Sequence, residues 1–283
     1  MTWGGRTGLV LLIGVVAVSF GAILIRLTTA PSLVVAAWRM ALASAVLIPW
    51  GVARWGGFTV RGLRLSLLAG VFLAFHFAFW IESLQHATVA SSVVLVNTNP
   101  LFVGLLSLLL GEAPSGALWQ GIVLSVCGGV LIGWGDFALG GTALWGDLLA
   151  LLGAVMASGY LLVGRRMRSH GGLLPYVTAA YSTAAVLLLA ATAFLPGARL
   201  PAGGNWGWIV LLALGPQLLG HTSVNLALRS LPASAVAVAI LGEPVGSALW
   251  AYLVFGEGIG PLQGAGMALV LVGIARTLRA VQL

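Results

Sequence analysis

Apolar residues run through this chain in stretches of about twenty, the length that crosses the hydrocarbon of a bilayer as a helix. Ten such stretches can be read, at 7–27, 32–52, 62–84, 88–110 and 115–134, and then at 142–164, 173–195, 206–229, 232–254 and 261–279. We refer to them as spans one to ten. Most connections carry turn signals, as at Thr28–Pro31, Gly56-Gly57, Pro114–Gly116, Gly140-Gly141, Gly171-Gly172, Pro201–Gly204 and Gly258–Pro261. Spans three and four, and spans eight and nine, follow each other almost directly. The first stretch has no small-residue cleavage pattern and runs on into the second, so it reads as a retained helix rather than a signal peptide.

The pattern also repeats. Ala87–Val93 leads through Asn99-Pro100 to Gly111-Glu112, then to Gln120-Gly121 and Gly128-Gly129. About 144 positions later, Pro232–Ala237 leads through Glu243-Pro244 to Gly256-Glu257, then to Gln263-Gly264 and Gly273. Each copy is an apolar span interrupted at its middle by a polar-Pro pair, closed by Gly-Glu and followed by a glycine-spaced span. Five spans per half means that the second half enters the membrane from the opposite side. The expected fold is an all-α integral membrane protein: ten transmembrane helices as two inverted five-helix repeats, 1–135 and 141–283. Interrupted helices at matching places in inverted halves point to a transport site near the midplane.

Composition sharpens this. The chain is 60% hydrophobic and 7% charged, with a mean hydropathy of +1.09, where a soluble domain carries about a quarter charged residues. A net charge of +7 does not point to nucleic acid, because the basic residues, all of them arginine, are spread thinly. Their placement carries topology instead. With the N-terminus in the cytoplasm, Arg6, Arg54, Arg61, Arg64, Arg165, Arg166, Arg168, Arg229, Arg276 and Arg279 fall inside and only Arg26 and Arg199 outside. Trp50, Trp55 and Trp119 then lie near the inner interface, and Trp134, Trp145, Trp206 and Trp208 near the outer one. Cys127, alone among apolar residues, is expected as a small buried side chain.

Two five-helix halves, each with a mid-span Pro, a closing Gly-Glu and a glycine-patterned helix, resemble the EamA-type members of the drug/metabolite transporter superfamily. The resemblance rests on Asn99-Pro100 to Glu112, on Glu243-Pro244-Val245 to Glu257, and on Ala36-Ala37-Trp38-Arg39, and it covers essentially the whole chain. Within that superfamily the chain resembles the YddG amino-acid exporters, a subgroup that no motif here separates from its neighbours. It implies a multi-pass protein of the bacterial inner membrane that moves small metabolites, in bacteria often amino acids. A carrier for another metabolite or a drug-like cation stays open beside that expectation. The halves are not chemically equivalent, since Asn99 stands where the second copy has Glu243.

Polar side chains deep in hydrocarbon are expensive and tend to face a bundle interior or a watery cavity. Glu243 is the one carboxylate expected near mid-depth. It is a proton acceptor or amine contact on one reading, and on the favoured one a hydrogen-bonded residue that steadies the break at Pro244. His76 and Trp80 lie one turn apart in span three, and His221 and Asn225 repeat that spacing in span eight, with Gln217 a turn earlier. Asn97 and Asn99 flank the break at Pro100. Imidazole, amide and indole groups suit a zwitterionic or polar organic solute better than a bare ion, so His76, Trp80, Asn97, Asn99, Gln217, His221 and Asn225 are the expected substrate contacts. Pro100, Glu243 and Pro244 are the expected gating or structural breaks.

Arg39, about two turns into span two, can bind a solute carboxylate, pair with a protein carboxylate or snorkel outward. Glu82 and Arg26 read as interface residues or an ion pair. Glu112 and Glu257 read as caps of the following helix or ties between loops. No His-Glu-x-x-His, Gly-x-Ser-x-Gly or Walker pattern occurs, so no catalytic residue, cofactor, metal or ATP is expected, and an intramembrane enzyme or a receptor is disfavoured. The expected partners are a small-molecule solute and the lipid bilayer. The oligomeric state is open, a monomer being compatible. Reporter fusions after Arg168 and at the C-terminus are predicted to report cytoplasm, and one within Gly197–Asn205 to report periplasm. A cytoplasmic signal from that last loop would remove both the ten-span reading and the inversion.

Overall fold

The structure is a computed structural model, and it describes residues 3–56, 58–87, 89–134, 142–167, 170–194, 200–256 and 258–282. Gly57, Gly140, Gly141, Arg168, Arg199 and Glu257, singled out above, lie outside the described residues, as does part of the Gly197–Asn205 loop. The described residues hold helices and turns and no strand.

Span one is α1 (Trp3–Ser19) and α2 (Gly21–Arg26), broken at Phe20. Spans two and three are α3 (Ser32–Ala53) and α4 (Val60–Ser83), and span four is split into α5 (Val89–Val96) and α6 (Asn99–Leu109). Span five is α7 (Gly116–Gly133), span six α8 (Thr142–Arg166) and span seven α9 (Leu173–Thr192). Span eight runs from α10 (Asn205–Leu212) through a π-helical segment, Ala213–His221, into α11 (Thr222–Ala227). Span nine is split into α12 (Ala233–Ile240) and α13 (Gly242–Phe255), and α14 (Pro261–Gln282) is span ten. Among the described residues nine of these units are long and apolar enough to cross a membrane, and the apolar part of α7, Gly116–Ile132, is shorter. At 1.5 Å per residue the 18 residues of α7 still reach about 27 Å, close to the roughly 30 Å of hydrocarbon. The protein is an all-α integral membrane protein of ten transmembrane helices.

The two mid-span breaks follow from proline geometry. A proline has no N–H for the carbonyl four residues before it and its ring crowds that carbonyl. Four before Pro100 is Val96, the last residue of α5; four before Pro244 is Ile240, the last residue of α12. At each break the chain tightens into an i→i−3 bond, Thr98 N–H to Leu95 O at 3.1 Å and Leu241 N–H to Val238 O at 3.1 Å.

The repeated Gly-Glu closes the broken spans. Gly111 (φ 75°) and Gly256 (φ 70°) take the left-handed conformation that ends a helix and favours glycine. After α6, Glu112 N–H donates to Ser107 O at 2.9 Å and Gly111 N–H to Leu108 O at 3.1 Å. Glu112 therefore works through its backbone here, and the cap expected of it on the next helix belongs to Ser115, whose Oγ accepts from Leu118 N–H at 3.3 Å.

Helices α3, α4, α8 and α9 pack as one group around the main core, while α7 and α14 lie against each other along much of their length. Glycine makes that second seam. A Cβ on Gly128 would sit 2.7 Å from Gly266 O, and one on Gly266 would sit 2.6 Å from Gly128 O, so the two backbones approach as only glycine permits. Cys127, next to that seam, is exposed on the outer face of α7 rather than buried; a thiol on a lipid-facing helix is solvated by acyl chains as well as by a core. Gly128→Ala is expected to lower the thermal midpoint of the purified protein, with a penalty of about 1–3 kcal/mol for overpacking. Gly116→Ala, where a Cβ meets nothing within 4 Å, should leave the midpoint unchanged; equal effects would show that the seam is not tight.

Candidate functional site

A cavity of about 50 Å³ lies where spans one, two, three, four, six, eight and nine converge. Its polar wall is Arg39, His76, Trp80, Asn97, Asn99, Tyr160, His221 and Glu243, and Val18, Gly21, Leu73, Val96, Pro216 and Ile240 are among its apolar lining. The helix breaks open the space. Gly21 follows the break in span one, and a Cβ there would stand 3.6 Å from the Trp80 indole. Asn97 lies in the break of span four and Glu243 just past that of span nine. Pro216 sits inside the π-helical segment of span eight.

Arg39 is the most constrained polar group. It is 1% exposed, so it does not snorkel. Its Nη2 donates to Gln217 Oε1 at 3.0 Å, and the guanidinium lies over the Phe77 ring, 4.1 Å from its centroid. Arg39 has no ion pair within 4 Å among the described residues; Glu243 shares its cavity and acts on it through the field. Arg39 Nε and Nη1 are buried with no hydrogen-bond partner, as are Trp80 Nε1 and Asn99 Oδ1. Each such group forgoes about 1–3 kcal/mol relative to one that is paired.

His76 Nδ1 meets Gly153 O at 3.0 Å. A carbonyl only accepts, so Nδ1 carries the proton and Nε2 of the neutral ring is an acceptor. The imidazole stacks on Trp80 with centroids 6.0 Å apart, and His221 meets Phe77 edge-on at 5.4 Å. Asn97 Nδ2 donates to Val93 O at 2.8 Å, occupying a carbonyl next to the break, and its side chain also lies beside the Glu243 carboxyl.

Four expected residues lie off this cavity. Gln217, fully buried, stands behind Arg39 as its acceptor. Asn225 stands behind Tyr160: its Nδ2 donates to Tyr160 Oη, to Tyr181 Oη at 3.5 Å and to His221 O at 2.8 Å. Asn225 instead lines a small pocket with Gly164, Met167, Tyr176 and Arg229. Pro100 is buried in the first turn of α6, where Ser158 Oγ donates to the neighbouring Asn99 O at 3.1 Å. Pro244 opens onto a different cavity, of about 100 Å³, which includes Ile23, Arg26, Val93, Val94, Ile132, Ser247 and Gln263. Glu82 pairs with His86 Nε2 at 3.1 Å, and Arg26 lies 4.4 Å over the Phe255 ring.

Tyr160, Phe77 and Pro216 were not legible as site residues. Tyr160 is the one tyrosine of span six and Phe77 one of four phenylalanines in span three, with no polar partner at helical spacing to single either out, and Pro216 shows only when the helix around it is seen to widen. Among the described residues no cluster of three or more His, Cys, Asp or Glu is placed to hold a metal.

Comparison with known proteins gives a consistent result. The chain is 28% identical over 235 residues to an uncharacterized transporter of Archaeoglobus fulgidus, over 78% of each chain. A protein of known crystal structure with 22% sequence identity superposes with a TM-score of 0.79 over 98% of each chain, a likeness of fold. The sequence profile of the EamA-like transporter family matches twice, over residues 6–134 and again over 144–279. With nearly the whole chain covered by those two matches, the protein belongs to the EamA-like transporter family.

Proposed function

We propose that this protein is a secondary carrier that exports small zwitterionic metabolites, amino acids above all, across a bacterial inner membrane. The solute binds in the central cavity and crosses by alternating access. The observation that carries this reading is the set of buried, unpartnered groups around that cavity. Arg39 Nε and Nη1 and Trp80 Nε1 are donors, and Asn99 Oδ1 is an acceptor. Donors on a fixed guanidinium suit a carboxylate, and amide and imidazole acceptors suit an ammonium. A bound amino acid pairs both kinds at once, while a drug-like cation leaves Arg39 opposed.

The repeated break supports a two-body movement. On this reading residues 1–135 and 141–283 are inverted repeats, as the twofold family match suggests. Glu243 faces the central cavity and the adjacent Pro244 the second one. In span four Val96 and Val94 divide in the same way. Between the two spaces lies a small apolar cluster of Val94, Ile132, Leu241, Val245 and Val270, which we read as one gate. The hydrogen-bonded group of Tyr160, Asn225 and Tyr181, between the cavity and the small pocket at Met167 and Arg229, is the other.

Transport by purified protein in liposomes, against a panel of labelled amino acids with and without a pH gradient, tests the reading. Arg39→Gln should weaken amino-acid transport roughly ten- to a hundredfold at unchanged folded yield, the worth of a charged hydrogen bond of about 1.5–3 kcal/mol. Normal amino-acid transport by that variant, or transport confined to organic cations, would sink the proposal. Glu243→Gln should keep downhill exchange, because Gln still offers Asn97 a hydrogen-bonding group, while Glu243→Leu should lose most of it. Loss of accumulation in Glu243→Gln with exchange intact would instead make that carboxyl a coupling group.

A further inference from the structure

Arg6 and Arg229 face a single groove of about 500 Å³ that shares no lining residue with the central cavity. Arg6, Thr7 and Val10 enter it from the first turns of α1, and Leu226, Ala227, Arg229 and Ser230 from the end of α11 and the turn after it. Thr7 Oγ1 and Ser230 Oγ lie 3.5 Å apart across the groove. Both arginines are exposed, and neither makes an ion pair with a carboxylate among the described residues. The carbonyl end of α11, which alone would repel an anion, is covered: Arg165 Nη1 donates to Leu228 O at 3.1 Å.

We propose that this groove binds the phosphate headgroup of an anionic phospholipid, with Arg6 and Arg229 on the phosphate and an acyl chain along α1. Two guanidinium forks make a donor set matched to phosphate oxygens, while the Ser230 hydroxyl donates to Ala227 O at 3.3 Å. Below them the groove turns apolar: Val10 and Ile13 follow Arg6 at helical spacing, Leu226 precedes Arg229 by three positions, and Ile13 and Leu226 are exposed. A soluble phosphate would use the cations and leave that apolar track uncovered, whereas a lipid uses both. Basic pockets between helices at a membrane surface hold anionic headgroups by this combination. The occupant would tie span one to span eight at one end, and both spans line the central cavity through Val18, Gly21, Pro216 and His221.

The full-length protein in a neutral detergent, titrated with phosphatidylglycerol and followed by native mass spectrometry and thermal unfolding, tests this. Wild type should retain phosphatidylglycerol in preference to phosphatidylcholine and unfold at a higher temperature with it. Arg6→Gln/Arg229→Gln should weaken retention by about 30-fold, two cations near an anionic headgroup. Arg6→Lys/Arg229→Lys should keep most of it. Arg61→Gln/Arg64→Gln, which removes the same charge from exposed positions on α4, should stay within roughly twofold of wild type. Equal weakening in the two Gln pairs would replace the site by a general charge effect. Unchanged retention in Arg6→Gln/Arg229→Gln, equal retention of phosphatidylcholine, or displacement by millimolar inorganic phosphate would each overturn the proposal.

Discussion

Placing a guanidinium in the middle of an apolar bundle costs several kcal/mol that helix packing alone does not return. Most of what surrounds the central cavity answers that cost at Arg39. Gln217 takes one of its nitrogens, Phe77 gives the cation an electron-rich face, and the Glu243 carboxyl lines the same cavity. None of the three closes an ion pair, and Nε and Nη1 stay without a partner. A bundle selected for stability alone would hold a leucine here. The arrangement holds the charge in place and leaves part of its hydrogen bonding unspent, which is what a site needs if a transient occupant is to be attracted and later released.

The backbone solves a related problem at the same depth. In hydrocarbon an unbonded carbonyl is tolerated only where protein or a polar cavity covers it. Pro100 and Pro244 each release one carbonyl at mid-depth, and the polar side chains beside those breaks, Asn97 and Glu243, are the ones that line the cavity. Asn97 itself donates to the Val93 carbonyl near the end of α5. The breaks and the polar site therefore coincide: the prolines interrupt the helices where the Asn97 amide and the Glu243 carboxyl line the cavity.

These dependencies were legible in the sequence to different degrees. Helix placement was read almost to the residue, because apolar runs in a bilayer must be about as long as the bilayer is thick. The proline breaks were read for the same reason. Convergence of side chains was not. Spacing along one helix says that His76 and Trp80 share a face, but not that Tyr160 from span six and His221 from span eight will line one cavity with them. Span eight shows the limit most clearly. Gln217, His221 and Asn225 sit four apart and would share a face on an α-helix, yet Ala213–His221 is π-helical and carries more residues per turn. The three side chains fan out, Gln217 toward Arg39, His221 into the cavity and Asn225 toward the tyrosines.

The two groups that we propose as gates differ in chemistry, and on that proposal the difference has a consequence for how such a bundle moves. The apolar cluster around Val94, Leu241 and Val245 holds together by dispersion between small side chains, each contact worth only tenths of a kcal/mol. It can part gradually. The Tyr160–Asn225–Tyr181 group is held by directional hydrogen bonds in a buried setting, where a broken bond leaves a costly orphan. It parts only if water or a polar solute takes over the vacated groups. A polar molecule in the cavity therefore lowers the barrier at the tyrosine side more than at the apolar side. Beside both boundaries stand rigid pieces, the glycine seam of α7 with α14 and the packed group of α3, α4, α8 and α9. The broken helices α5–α6 and α12–α13 contact both pieces, so their mid-membrane breaks are the places where relative motion of the two can be absorbed without unwinding a whole span.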